Sequence, residues 1–182
     1  MKHDAGLSPG EVRAMLAYQW QVLPRPEPNA LAKGDQDAAR LMSLMLAFEE
    51  IYGAGAPGDY TAELAPLAAR VDWLLRWVLA DRDADPGWRQ VQRPIVFTPS
   101  TAQWLEPSAS APGEWGVLRL YPEPRLPRSL GLWVEIEAAT PGPDGWCIRA
   151  RWQGQTDETQ ELLGKFLFRL HRQEVARARQ TQ

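Results

Sequence analysis

The sequence predicts an α+β protein, in which a small antiparallel β-barrel carries a long inserted αα-hairpin and a C-terminal helix. Three changes in hydrophobic spacing support this prediction. Apolar residues recur every three or four positions over residues 35–85, every second position over residues 88–155, and every three or four positions again over residues 156–179. Because 182 residues suit one domain with an insertion, we place all three segments in a single domain, residues 11–182.

The N-terminal part of this domain has a pattern that leaves two structures open. Residues 11–23 could form a short helix or an edge strand, and the sequence does not decide whether they supply the first strand of the barrel. The prolines that follow, Pro24, Pro26 and Pro28, predict an extended connector.

The hairpin is predicted from two apolar stripes that a glycine-rich break separates. The first helix would begin near Asp35 or Asp37, either of which could cap it, and would stop at residues 53–58. The second helix would end at residues 81–87. The stripe residues are Leu41, Met45 and Phe48 in the first helix, and Leu64, Leu67, Val71, Leu74 and Val78 in the second.

Two interpretations of this hairpin remain. It could pack on its own domain, or hairpins from several subunits could form a helical bundle. We favour the bundle because both stripes are broader than one neighbouring helix would cover. The sequence therefore predicts a homo-oligomer with the stripe residues in its interface.

The barrel is predicted from short alternating segments between turns rich in proline, glycine and serine. These segments lie near residues 94–97, 101–105, 117–121, 130–137 and 146–152. In the clearest one, Leu130, Leu132, Val134 and Ile136 face one way, and Trp133, Glu135 and Glu137 face the other.

The composition excludes several classes of function. A net charge of −3 argues against a DNA-binding protein, which usually has a basic balance. Cys147 is the only cysteine, and neither His3 nor His171 has a partner at metal-ligand spacing, so we predict no metal site and no catalytic residue. The chain has no signal peptide and no apolar stretch long enough to span a bilayer, which predicts a cytoplasmic protein.

A family resemblance rests on segments spread over most of the chain. They are Trp20 with the Arg25-Pro26 connector, the pair of helices with its VDWLL segment (residues 71–75), the LRLYP segment (residues 118–122) and the FLFRLHRQEVA tail (residues 166–176). Together they resemble the atypical PilZ domain of Xanthomonas-type gammaproteobacteria, a class of cyclic di-GMP receptors. The resemblance implies a PilZ β-barrel in which inserted heptad-bearing helices build an oligomer, a tetramer in that family.

Cyclic di-GMP is the ligand that this resemblance implies, and it makes two motifs informative. Ordinary PilZ domains bind it through R-x-x-x-R and [DN]-x-S-x-x-G. Arg89 and Arg93 have the first spacing, and Ser100 matches the serine of the second. Thr98 and Gln103 replace the acid or amide and the glycine of that motif, so we favour a barrel without the ordinary site.

A basic stripe on the C-terminal helix is the other candidate site for an anion. Lys165, Arg169 and Arg172 share one arc of the helix, with His171 close by. The stripe could be a solvated face that complements the helix dipole, or a contact for a phosphate or a partner protein.

Two functions follow from these observations. The chain could be a non-catalytic PilZ-type effector or adaptor in cyclic di-GMP pathways, oligomerising through its hairpin. Alternatively, it could be a ligand-independent scaffold that recruits a partner protein through a Trp-rich surface, for which Trp104, Trp115 and Trp133 are the candidates.

Overall fold

The computed structural model of the protein describes residues 11–52, 91–122 and 128–180, apart from the side chains at positions 47–52, 177, 178 and 180. In chain order the elements are β1 (Val12–Val22), α1 (Pro28–Tyr52), β2 (Arg93–Phe97), β3 (Thr101–Glu106), β4 (Trp115–Tyr121), β5 (Leu130–Gly142), β6 (Gly145–Trp152) and α2 (Asp157–Gln180). The predicted second helix of the hairpin, with Leu64, Leu67, Val71, Leu74 and Val78, lies outside the described residues. So do Arg89 and the side chain of Phe48.

The strands form a closed antiparallel barrel in the order β1-β2-β3-β6-β5-β4, which confirms the predicted antiparallel barrel. The barrel closes because β1 pairs with two strands. Residues 12–16 pair with β2, and residues 17–22 pair with β4. Residues 11–23 are therefore strand rather than helix, and they supply the first strand of the barrel.

The interior of the barrel follows the alternation of the strands. On β5, the side chains of Leu130, Leu132, Val134 and Ile136 are buried, as predicted, while their neighbours are partly exposed on the outer face. The largest fully buried side chains of the described core are Trp104, Tyr18, Phe97, Phe166, Met42 and Met45. Close packing of these large side chains fixes the shape of the core.

The first helix begins earlier than predicted. The carbonyl of Glu27 accepts hydrogen bonds from Ala30 N (2.9 Å) and Leu31 N (3.1 Å), so the helix starts at Pro28. Pro28 is thus the first helical residue rather than part of an extended connector. Proline suits this position because its missing N–H would have no partner within the helix.

Helix α1 packs on the barrel and on α2 through one apolar face. Ala38, Leu41, Met42 and Met45 are buried there. Leu41 and Met45 were predicted to lie in an interface between subunits, but both belong to the core of this chain, with exposed fractions of 6% and 1%. Their apolar character is therefore explained without a second subunit.

The start of α2 is tied to α1 by a polar contact. The hydroxyl of Thr156 donates to Asp35 Oδ2 (2.8 Å), and Thr156 N donates to Asp35 Oδ1 (3.3 Å). Asp35 was a predicted cap for α1, but it lies inside that helix and instead holds the residue that precedes α2. Leu163, Phe166, Leu167 and Leu170 bury the apolar arc of α2.

Candidate functional site

Arg93, the first residue of β2, is held by the barrel itself. Its Nη2 donates to the carbonyl of Tyr18 (3.1 Å), and its Nη1 lies 3.5 Å from the carbonyl of Leu105. The guanidinium carbon stands 3.9 Å from the centre of the Tyr18 ring. These contacts engage two of the five N–H donors and one of the two faces of the Arg93 guanidinium.

The hydroxyl of Tyr18 completes this end of the barrel. It donates to the carbonyl of Leu105 (2.8 Å) and accepts from Leu105 N (3.1 Å). The β2–β3 ladder ends at Ile95 opposite Trp104. Continued by one residue, its register would place position 94 opposite Leu105, in a hydrogen-bonded pair by the alternation that the bond from Thr98 N to Thr101 O sets. Position 94 is a proline, which has no N–H to donate. The Tyr18 hydroxyl therefore replaces the missing donor.

Glu106, the last residue of β3, is a carboxyl in the same region. Burial raises the pKa of Glu106 above its ordinary value of 4.5, and the positive charge of Arg93 only partly opposes this. The folded state thus binds the Glu106 proton more tightly than the unfolded state does. Stability is therefore lost as pH rises from about 4.5 through the raised pKa.

We expect Glu106→Gln, which stays neutral, to remove this pH-dependent loss. The variant should be more stable than the wild type at pH 8, and the difference should shrink as the pH falls towards 4. Urea unfolding at several pH values measures this. Glu27→Gln, at an exposed residue before α1, is the control for removing a carboxyl charge elsewhere in the chain. A Glu106→Gln protein that is less stable than the wild type at every pH would contradict the burial argument.

Ser100 lies in the turn between β2 and β3, at the other end of the hairpin from Arg93. At about 3.3 Å per residue, the two are roughly 15 Å apart along the strand. The turn is held by Thr98, whose Oγ1 accepts from Ser100 N (3.2 Å) and Thr101 N (2.8 Å). Gln103 is a regular residue within β3, paired with Val96, so its position makes no demand for glycine.

The basic stripe of α2 is divided among different partners. Arg169 Nη1 donates to the carbonyl of Met45 (2.9 Å), which ties α2 to α1. Lys165 pairs with Glu161 on the same helix (2.7 Å). Arg172 is exposed, next to His171, and lines a shallow groove of about 360 Å³ near the end of α2. The predicted ligand residues are therefore divided between two elements, with Arg93 and Ser100 at opposite ends of the β2–β3 hairpin and Arg169 and Arg172 on α2.

The three tryptophans of the predicted Trp-rich surface do not form a common exposed surface. Trp104 is 1% exposed inside the barrel, where its ring packs 5.6 Å from that of Trp20. Trp115 is 9% exposed, and the Arg25 guanidinium lies 5.0 Å from its ring. Trp133 alone is partly exposed on the outer face of β5.

Trp133 belongs to a groove that the sequence did not predict, between α1 and the outer face of β4 and β5. The groove has a volume of about 460 Å³. Asp37 on α1, Arg119 on β4 and Arg128, just before β5, supply its charged groups. None of these three residues forms an ion pair or a hydrogen bond with another residue in the part of the chain that the structure describes.

The comparisons with known proteins identify the family. The family model for the atypical PilZ domain, described as a cyclic di-GMP receptor, matches residues 49–180. The chain belongs to the atypical PilZ family. No curated protein matches it.

A solved PilZ structure shares the fold. It is a pathogenic protein from Xanthomonas campestris, described as a new tetrameric PilZ domain self-assembled via an unusual helical bundle. The two chains superpose with a TM-score of 0.67 at 22% identity, over 91% of this chain and 89% of that one. This likeness confirms the PilZ-like barrel.

The PilZ barrel gives the tail motif a structural meaning. Within the FLFRLHRQEVA segment, Phe166 is buried and Arg169 bonds to α1, while Phe168 is 63% exposed. The motif therefore docks the last helix onto the first. The sequence signal for the groove was weaker, because Arg119 lies on β4 and Arg128 precedes β5, and only the barrel's register brings Arg119 opposite Gly131.

No described helix combines the length and the apolar character needed to cross a membrane. Within the described ranges, no three acidic, histidine or cysteine side chains come together as a metal site would require.

Proposed function

We propose that the chain is a non-catalytic PilZ-type effector or adaptor in cyclic di-GMP pathways, which acts as an oligomer and does not bind the nucleotide through Arg93, Ser100 and Arg169. We exclude nucleotide binding through these residues because two of the arginines are already hydrogen-bonded to main-chain carbonyls. Arg93 bonds to Tyr18 and Arg169 bonds to Met45. Turning either guanidinium towards a ligand would leave those carbonyls without a charged donor.

The oligomer is supported by exposed apolar residues on α2 and by the relative from Xanthomonas campestris, which is described as tetrameric. Phe168 is 63% exposed and Val175 is 36% exposed. They are seven positions apart, which is about two helical turns, so they lie on the same face of the helix. We propose a tetramer in the cytoplasm, with the second helix of the hairpin, including Leu67 and Leu74, at its centre.

Light scattering coupled to size exclusion tests the assembly. At tens of micromolar the wild type should have four times the mass of one chain, and Leu67→Asp and Leu74→Asp should reduce that mass. Leu46→Asp, at a partly buried position on α1, controls for a general effect of a new charge. A wild type that runs as a single chain would overturn the oligomer.

Calorimetric titration with cyclic di-GMP tests the nucleotide half of the proposal. If the wild type binds, the affinity should be unchanged in an Arg89→Ala, Arg93→Ala double variant and in an Arg169→Ala, Arg172→Ala double variant. A tenfold or larger loss in either variant, with the fold intact by circular dichroism, would show that the sequence-predicted residues do form the site. Failure to bind under any condition would favour the ligand-independent scaffold that recruits a partner protein.

A further inference from the structure

The groove between α1 and the outer face of β4 and β5 has the composition of a binding site. Its volume of about 460 Å³ lies within the range of small-molecule sites. It combines two cationic side chains, one carboxylate and one partly exposed indole, those of Arg119, Arg128, Asp37 and Trp133.

The two arginines approach the groove from β4 and from the segment that leads into β5. Arg119 on β4 is directly opposite Gly131 on β5, and Arg128 is three residues before Gly131. With strands about 5 Å apart and a rise of about 3.3 Å per residue, their Cα atoms are roughly 11 Å apart. Two arginine side chains can converge on one anion from that separation. Neither is engaged by another described residue, so both keep their donors for a phosphate.

The indole of Trp133 forms an apolar wall beside these charges, and α1 holds it in place. A Cβ at Gly34 would lie 2.8 Å from both Cδ1 and Nε1 of Trp133, so the backbone of α1 rests directly on the ring. A glycine inside a helix costs about 1 kcal/mol relative to alanine. The close contact with Trp133 is the reason for glycine at this position.

Asp37 supplies a hydrogen-bond acceptor on the opposite wall. It follows Gly34 by three residues, so both lie on the same face of α1. A carboxylate beside an aromatic wall selects for a ring that carries N–H donors, as the Watson–Crick edge of guanine does. The carboxylate also makes the groove a poor site for a ligand that is anionic throughout.

We propose that this groove binds a purine nucleotide, with the phosphate on Arg119 and Arg128, the base against Trp133, and a base N–H donated to Asp37. The groove has one pair of cations and one aromatic wall, so it fits one phosphate and one base. This site is separate from Arg93, Ser100 and Arg169, and the proposal does not depend on the oligomer. A cyclic dinucleotide carries the same two chemical groups and could place one half there.

Calorimetric titration of the full chain with GMP, cyclic di-GMP, guanosine and inorganic phosphate tests the proposal. We expect GMP to bind. Arg119→Ala and Arg128→Ala should each lower the affinity for GMP at least tenfold. Arg13→Ala, at an exposed arginine of β1, should leave that affinity unchanged. Binding of cyclic di-GMP alone, with the same loss in the two groove variants, would support the site and identify the dinucleotide as the source of the phosphate and base. Unfolding curves check that each variant folds.

Asp37→Asn and Gly34→Ala test the base-binding part of the groove separately from its positive charge, through the affinity for GMP relative to that for phosphate. Asp37→Asn should reduce the preference for GMP over inorganic phosphate, because it removes the acceptor for the base. Gly34→Ala should displace the Trp133 ring, which should lower the affinity for GMP and leave the affinity for phosphate unchanged. The proposal is overturned if neither nucleotide gives saturable heat at millimolar concentration, if binding survives the loss of both arginines, or if phosphate alone binds as tightly as GMP.

Discussion

Gly116→Ala should destabilise the protein by at least about 3 kcal/mol, because no rotamer change can make room for the new methyl group. A Cβ at this position of β4 would overlap the main-chain oxygen of Gln21 and would lie 2.5 Å from Cη2 of Trp20. The indole of Trp20 cannot swing away, since its Nε1 donates to Ser110 Oγ (3.2 Å) and its ring packs against Trp104. Relief therefore requires β1 and β4 to separate.

Thermal unfolding measures this effect, and a loss of 3 kcal/mol should lower Tm by roughly 10 °C in a domain of this size. Two other Gly→Ala changes serve as controls. At Gly131 on β5 the new Cβ would meet only Val117 Cγ1, at 3.3 Å, so little change is expected. At Gly164 on α2 nothing lies within 4 Å, and alanine should stabilise the helix by about 1 kcal/mol. A Gly116→Ala protein as stable as the Gly131 variant would contradict the packing described here.

Local periodicity was enough to predict most of the barrel. The strands β2, β5 and β6 alternate between a buried and a more exposed face, so side-chain spacing alone indicates them, as in Leu130, Leu132 and Val134. Strand β1 was ambiguous for a physical reason. The run from Leu16 to Tyr18 is buried on consecutive residues because helix α2 covers the outer face of β1, and that burial hides the alternation.

The candidate site was harder to predict, because the spacing of residues along the sequence does not show which residues each side chain will contact in the fold. Arg89 and Arg93 match a motif, yet the structure commits Arg93 to carbonyls on β1 and β3, 75 and 12 residues away. The groove residues lie on α1, β4 and the start of β5, and no short motif joins them. Only the strand register and the packing of α1 bring Asp37, Arg119 and Arg128 to one place.

Tyr18→Phe should have the second large effect, a loss of about 1 to 3 kcal/mol, because it leaves the N–H of Leu105 without its hydroxyl partner and the C=O of Leu105 with only the long contact to Arg93 Nη1 (3.5 Å). Each unsatisfied buried main-chain group costs about 1 to 3 kcal/mol. Phenylalanine keeps the ring beneath the Arg93 guanidinium, so the change isolates the hydroxyl. Urea unfolding at neutral pH measures the loss of stability.

A double-mutant cycle with Pro94→Ala tests whether Tyr18 really replaces a donor missing from β2. Alanine at position 94 restores an N–H in the hydrogen-bonded pair with Leu105, so it should recover part of the stability that Tyr18→Phe removes. In the wild-type background the same change should have little effect, because the hydroxyl already satisfies Leu105. If the two changes are simply additive, the hydroxyl of Tyr18 is not acting for the absent N–H, and the large cost of its removal must come from packing at this end of the barrel.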